Sequence, residues 1–392
     1  MVGEDLKTAD ILILGAGVMG ASIAFHLAKR RGGRIAVLEK DHAGQGASGR
    51  SSALIRMHYS FGPEVQLAAK SLEIFQNWEA IVGEQSAFRK TGFVCLVPQN
   101  EGKRLEANVE MQKSYGVRTR LINCGELETL EPDWNLEDEP AAAYEPDSGY
   151  GDGAIVAADF IARARALGVH YYPRTPVTKL LREGDRINGV ETARGRVEAP
   201  VVILATGQWS RPLLQQAGLD LPIETEFHQV AILQNPLELK PGGSACIDYV
   251  NALYFRSDGS DKLLIGDFHG DRGVDADNFP QRPSEDWLVE IVERAAIRVP
   301  KLRDAGLMRG ITGVYDMTPD CRPILGEMPG VRGLYVVAGF SGMGFKISPA
   351  VGLVMSELLL DGSAATVDIS AFTPRRFAEG KLIKGDFEYE NE

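Results

Sequence analysis

Residues 11–39 constrain this chain more tightly than any other stretch. Ile11 to Leu14 is a short apolar run, the pattern of a strand buried on both faces. Gly15, Gly17 and Gly20 follow at once in the spacing G-x-G-x-x-G. The first glycine permits a tight turn, the second lets a pyrophosphate reach the backbone, and the third lets the next helix pack on the strand. Ala21 to Lys29 reads as that helix, whose N-terminus turns free N–H groups and partial positive charge towards a phosphate. Ile35 to Leu38 is a second buried strand. It ends in Glu39, nineteen residues after Gly20, where a carboxylate accepts hydrogen bonds from an adenosine ribose. A glycine motif alone can be a plain strand–helix connection. Strand, glycines, helix, second strand and acid in this order predict a dinucleotide site. The expected contacts here are Gly15, Ala16, Gly17, Val18, Met19, Gly20, Glu39 and Lys40. The motif leaves FAD and NAD open, and an acid at the ribose position argues against NADP.

With 392 residues the chain is long enough for two domains. A net charge of −12 argues against a nucleic-acid or anionic-membrane partner. No apolar run approaches the roughly 20 residues that span a bilayer. Met1 to Asp5 is acidic and lacks a signal-peptide core, so a cytoplasmic location is expected. Cys95, Cys124, Cys246 and Cys321 form no C-x-x-C pair and no metal-like grouping with the six histidines. Reduced thiols and no metal are expected.

After Glu39, residues 43–52 are too rich in glycine and serine for a regular element. They read either as a solvated loop or as a second cofactor-contacting segment, with Gly46, Ser48, Arg50, Ser51 and Ser52 as its contacts. The same segment leads to Arg56, whose fork suits a carboxylate. Glu64 to Val82 reads as one long amphipathic helix. Strand-like runs begin at Val177, a further expected cofactor contact, and at Arg186. Val201 to Ala205 is a buried strand ending in Thr206 and Gly207, with Trp209 close behind; small residues there permit close approach by a cofactor. The first sheet is expected to resume at this strand. Leu334 to Ala338 is a further buried strand. It runs into a glycine-rich turn with Gly339, Gly342, Met343, Gly344, Phe345 and Lys346, then a helix ending near Leu360. Two such turns in one chain are best explained by one extended ligand touching both.

Residues 15–20 with Glu39, 46–56, 201–209, 315–326 (YDMTPDCRPILG) and 339–349 (within GFSGMGFKISPAVG) resemble the D-amino-acid-oxidase-like flavoprotein family. The similarity is greatest to the branch of sarcosine oxidases, their beta subunits included, and dimethylglycine dehydrogenase. The resemblance implies FAD rather than NAD. It implies an α/β fold, with an FAD-binding Rossmann-like domain and an interleaved substrate domain built on a mixed β-sheet. On that scheme residues 1–85, 151–214 and 313–392, C-terminal tail included, belong to the FAD-binding part. Residues 86–150 and 215–312 belong to the substrate part. Arg56 takes the place of the family's substrate-carboxylate arginine and Lys346 that of its second carboxylate-binding cation. Tyr315 and Tyr254 match aromatic positions of the substrate pocket. Without the resemblance, Lys346 reads equally as a solvated lysine at a helix start, and the tyrosines as core.

The sequence departs from the family in three places. Gly313 stands two residues before Tyr315, where a cysteine anchors the flavin in monomeric sarcosine oxidases, so non-covalent FAD is expected. Aligned on Gly266, the position of the oxygen-activating lysine is Leu264. Lys262 lies two residues further back on the same strand face. This shifts the expectation from an oxidase towards a dehydrogenase that passes electrons to another acceptor. Ala53 replaces an arginine three residues before Arg56. The activity implied is removal of a hydride from the carbon beside the amine of a secondary (N-methyl or cyclic) or primary amino acid, giving an imine. The alternatives are 2-hydroxy-acid oxidation on the same carboxylate clamp, or a flavin-binding subunit of a multi-subunit amine dehydrogenase. Expected partners are a carboxylate-bearing amino-acid substrate, O2 or an electron-transfer protein, and possible companion subunits. His58 and His269 are the nearby candidate bases, both expected to be structural.

Overall fold

A computed structural model describes residues 7–236, 239–240 and 242–389; the acidic Met1–Asp5 segment lies outside the described residues. Four strands, Ile11–Leu14, Ile35–Leu38, His170–Tyr172 and Val201–Leu204, run parallel in a six-stranded sheet. Leu334–Ala338 continues it in parallel beside Val201–Leu204, and Ile324–Glu327 closes that edge antiparallel. Alternation along these strands sorts the core into two layers. Ile11, Ile13, Ile35 and Val37 face the helices Val18–Lys29, Gly62–Gln76, Gly153–Ala166 and Gly344–Asp361. Leu12, Leu14, Ala36 and Leu38 face the other way, against Leu180, Ile187 and Val190 of a small three-stranded sheet. The first and last long helices cross closely at a glycine. A Cβ on Gly352 would lie 2.1 Å from Ser22 Oγ, and the Ser22 hydroxyl donates to the Pro349 carbonyl at 3.4 Å.

The helix expected over 64–82 is broken. Gly62–Gln76 ends at Asn77, whose side chain donates to the Glu73 carbonyl at 2.8 Å, and a separate turn Trp78–Ile81 follows. A short polar side chain that bonds the preceding turn competes with continuation of the helix. The other predicted strands and helices form where expected, with ends shifted by a few residues.

A nine-stranded sheet is assembled from residues 93–145 and 224–317. One face packs on the helix Glu285–Arg298 through Ile291, Ala295 and Ala296. The other carries Phe93, Cys95, Ile247, Tyr254 and Leu264 into a cluster with Leu105 and Val109 of the helix Gly102–Ser114. The strand Gly306–Met317 pairs along its length with Glu224–Gln234 and ends against the C-terminal glycine turn, passing residues 312 and 313 without a break. No described helix is long and apolar enough to cross a membrane. Among the described residues, none of the four cysteines is in a disulfide and no group of three acidic, histidine or cysteine side chains could hold a metal.

Candidate active site

The first glycine turn is held against two other chain segments. Gly15 has φ +96°, and a Cβ there would lie 2.4 Å from the Ala205 carbonyl oxygen. A Cβ on Gly20 would lie 2.0 Å from the Gly15 carbonyl oxygen, so only glycine lets the helix start this close to the turn. Glu39 Oε2 accepts from the Ala16 N–H at 2.7 Å and Oε1 from the Asp41 N–H at 2.8 Å. The acid at the strand end is thus fixed beside the glycines.

A cavity of about 480 Å³ extends from this turn to the C-terminal one. Gly15, Gly17, Val18 and Met19 form one wall, with Glu39 and Lys40 beside them. Gly46, Ser48 and Ser51 come from the glycine–serine segment, and Ser48 Oγ accepts from the Val18 N–H at 3.0 Å. Val177, Ala205, Thr206, Gly207 and Trp209 form another wall, and Gly342, Gly344 and Phe345 close the far end with Tyr315. Lys40 is already engaged. Its ammonium lies 3.5 Å from the Trp209 ring centroid and 2.7 Å from Asp277, which also accepts from the Trp209 indole at 2.9 Å.

The remaining expected contacts do not line this cavity, each for a local reason. Ala16 and Gly20 are turned into the turn and helix packing just described. Arg50 points away, donating to the Thr312 carbonyl at 2.9 Å and lying over Phe279. Ser52 offers its carbonyl to Arg256 at 2.6 Å. Gly339 donates its N–H to Asp316 at 2.6 Å, and Met343 caps the helix Gly344–Asp361. Lys346, Arg56 and Tyr254 lie beyond the cavity wall.

Arg56 and Lys346 converge on one ring. The Arg56 guanidinium carbon lies 4.6 Å and the Lys346 ammonium 5.9 Å from the centroid of Tyr59. Arg56 also donates to the His58 carbonyl and lies over Phe93. Lys346 is only 8% exposed, in the first turn of its helix. Burial first, and then the Arg56 charge, push its pKa well below the ordinary lysine range, with Glu64 opposing. Lys346 is therefore not a solvated helix-start lysine.

Tyr315 packs against Gly342, where a Cβ would be 2.6 Å from its ring, and Gly342 has φ +83°. Its phenol interacts with that of Tyr254, which is buried over Gly266. Burial raises the pKa of both, that of Tyr254 well above the usual phenol value.

Two side chains here escape sequence reasoning. Asp316 lines the cavity and holds the C-terminal turn through the Gly339 N–H; burial raises its pKa to about 6 against those bonds. His228 stacks on Tyr315 with centroids 3.9 Å apart, and its Nε2 lies 2.9 Å from Glu226. The strand register pairs Glu226 with Tyr315 and His228 with Gly313. A Cβ on Gly313 would meet the Arg50 side chain at 3.4 Å and not the imidazole, so the His228–Tyr315 stack is visible only once the strands are paired. His228 corrects the expectation that His58 and His269 are the nearby histidines: His269 is exposed. His58 is buried, its pKa lowered to about 3 by burial and then by Arg56, with its nitrogens beside Gln112 and Tyr389. Leu264 is buried among Tyr249, Tyr254 and Ile247, and Lys262 lies at the strand end opposite Gln234. Ala53 is buried with φ +54°.

The profile of the family described as FAD dependent oxidoreductase matches residues 10–358. The chain is similar to the sarcosine oxidase subunit beta of Arthrobacter sp, with 27% identity over 97% of this chain and 94% of that one. It is also 27% identical to the glycine oxidase of Geobacillus kaustophilus, over 94% of this chain and 97% of the relative. The crystal structure of L-proline dehydrogenase from P. horikoshii superposes with a TM-score of 0.89 at 28% identity, over 96% of this chain and 100% of that one.

Proposed function

The chain belongs to the FAD-dependent oxidoreductase family, and from that premise we propose that it oxidises the Cα–N bond of a small amino acid, giving an imine. The substrate class is an N-methyl, cyclic or primary amino acid with a free carboxylate. The observation that carries this reading is the convergence of Arg56 and Lys346 on Tyr59. Bound FAD supplies the hydride acceptor. The protein's part is binding and orientation. Arg56 and Lys346 take the carboxylate, Tyr59 supplies the plane beneath it, and Tyr254 and Tyr315 wall the amine side. Orientation of this kind supplies much of a hydride-transfer rate. A side-chain base is unnecessary when the amine binds neutral, and His58, its pKa lowered to about 3 by burial between Gln112 and Tyr389, is too weak a base to serve.

The 480 Å³ cavity would hold FAD through Gly15, Gly17, Glu39 and the turn at 342–345. Gly313 offers no atom for a covalent link. Leu264 in an apolar cluster supports slow reaction with O2 and transfer to a protein acceptor. A relative named as a sarcosine oxidase beta subunit supports companion subunits for this chain. The carboxylate clamp does not itself select nitrogen over oxygen, so the test includes both. The purified yellow protein is mixed anaerobically with sarcosine, proline, glycine, D-alanine and lactate. Bleaching by an amino acid, with slow return of colour in air, is the expected result. Bleaching by lactate alone would replace the reading with 2-hydroxy-acid oxidation, and no bleaching by any would leave a structural flavin subunit.

A further inference from the structure

We propose that residues 385–389 form a working part of the substrate site, a strap that holds both cations of the carboxylate clamp in position. The proposal rests on the clamp reading of Arg56 and Lys346. Beyond the helical turn Arg375–Ala378 the chain is pinned at Asp320, which accepts from Arg376 at 2.8 and 3.0 Å and from the Ile383 N–H at 3.1 Å. It then crosses Ser60. The Asp386 N–H donates to the Ser60 carbonyl at 2.8 Å, and a Cβ on Gly385 would lie 2.2 Å from Ser60 Oγ, so a side chain there would lift the strap. Asn108 donates to the Phe387 carbonyl at 3.0 Å.

From this anchored segment two side chains turn inward along separate routes. Glu388 accepts from Arg322 at 2.9 Å, and Arg322 is also 3.3 Å from the fully buried Glu64. Glu64 is the anion that favours the charged form of Lys346. Tyr389 is buried, and its hydroxyl lies 2.7 Å from His58 Nε2. Gln112 holds the other ring nitrogen at 3.2 Å, and the His58 carbonyl accepts from Arg56. The Tyr389 ring also packs 5.0 Å from Tyr249, in the apolar cluster that contains Tyr254. The first route ends at Glu64, whose charge acts on Lys346, and the second at the Arg56 guanidinium. Both groups that the strap meets directly, Arg322 and His58, are buried, so each polar contact of the strap fixes a side chain next to the clamp. Glu388 and Tyr389 are therefore positioning residues.

The test uses the full FAD-loaded chain with Tyr389→Phe and Glu388→Gln, which keep shape and remove the two polar contacts. Acetate binding is read from the perturbation of the flavin spectrum, together with KM and kcat for the best amino-acid substrate. Each variant is expected to weaken acetate binding and raise KM by roughly tenfold, with kcat, flavin content and melting midpoint little changed. Arg56→Lys is the control. If it weakens acetate binding and the strap variants do not, the strap proposal is overturned and the clamp stands. If none of the three alters acetate binding, the clamp falls and the strap with it. A lowered melting midpoint or lost flavin with unchanged acetate affinity would reduce the strap to packing and overturn the proposal.

Discussion

At the nucleotide end of the cavity the walls are main chain: two glycine turns, a strand exit at Ala205 to Gly207, and one acid tied to backbone N–H groups. Beyond the cavity wall, at the proposed substrate end, the region is built from side chains: Arg56 and Lys346 meet at the Tyr59 ring, Arg322 pairs with Glu64, and the four come from segments far apart in sequence. A backbone-built region tolerates changes of charge and is broken by a methyl group. A region built from buried charges tolerates small changes of shape and is broken by loss of one partner, because the charge left behind stays desolvated. The two regions should therefore fail in opposite ways.

The largest failure is expected at the nucleotide end. Gly20→Val places a branched side chain where a Cβ alone would lie 2.0 Å from the Gly15 carbonyl. A loss of about 4 kcal/mol of stability or more is expected, with colourless protein on purification. Thermal unfolding and flavin absorbance measure both; a yellow Gly20→Val protein with unchanged melting would erase the contrast. Next comes Arg56→Ala, which should lower kcat/KM by about 100- to 1,000-fold, on the scale of losing one partner of a buried charged contact. Flavin content should not change. Equal loss of flavin would move Arg56 to the nucleotide end.

The smallest expected effect separates the ends through pH. His26, in the first helix, and His58, beside Arg56, both have pKa values lowered from 6.5 to about 3, chiefly by burial. A base with a depressed folded pKa adds stability that is present above pH 6.5 and lost as pH falls towards 3. Each histidine should add about 1.4 kcal/mol per pH unit to the acid slope of unfolding in that window. Urea unfolding at pH 6, 5 and 4 should show His26→Phe and His58→Phe each flattening the slope by that amount. Only His58→Phe should also raise KM. Equal effects on KM would show that the two regions are coupled.

The same division decides what could be read before the structure. Gly15 to Gly20, Glu39, Ala205 to Gly207 and the turn after Ala338 are local patterns, because glycine spacing and short apolar runs reflect contacts made nearby in sequence. Arg56 and Lys346 came through family likeness, since no period or spacing links the two positions. Asp316 sat inside a quoted motif yet showed no role until its carboxylate was seen on Gly339. The stacking of His228 on Tyr315 depends on the register of two strands more than 80 residues apart. Tyr389 meets a histidine 331 positions away from a charged, aperiodic tail. The break at Asn77 was missed for a smaller reason: one amide competes with a helix that the hydrophobic stripe alone would continue.

The central strand Ile11–Leu14 is flanked by Ile35–Leu38 and Val201–Leu204. On a ribosome adding about 5–20 residues per second, its second neighbour emerges on the order of ten to forty seconds after it. The turn at 339–345 emerges later still. A nascent chain therefore holds half a cradle for most of its synthesis, and a strongly apolar strand waits with one edge unpaired. A cradle that needs both turns cannot be complete before the second is made, and the open edge of Ile11–Leu14 is covered only when Val201–Leu204 pairs with it.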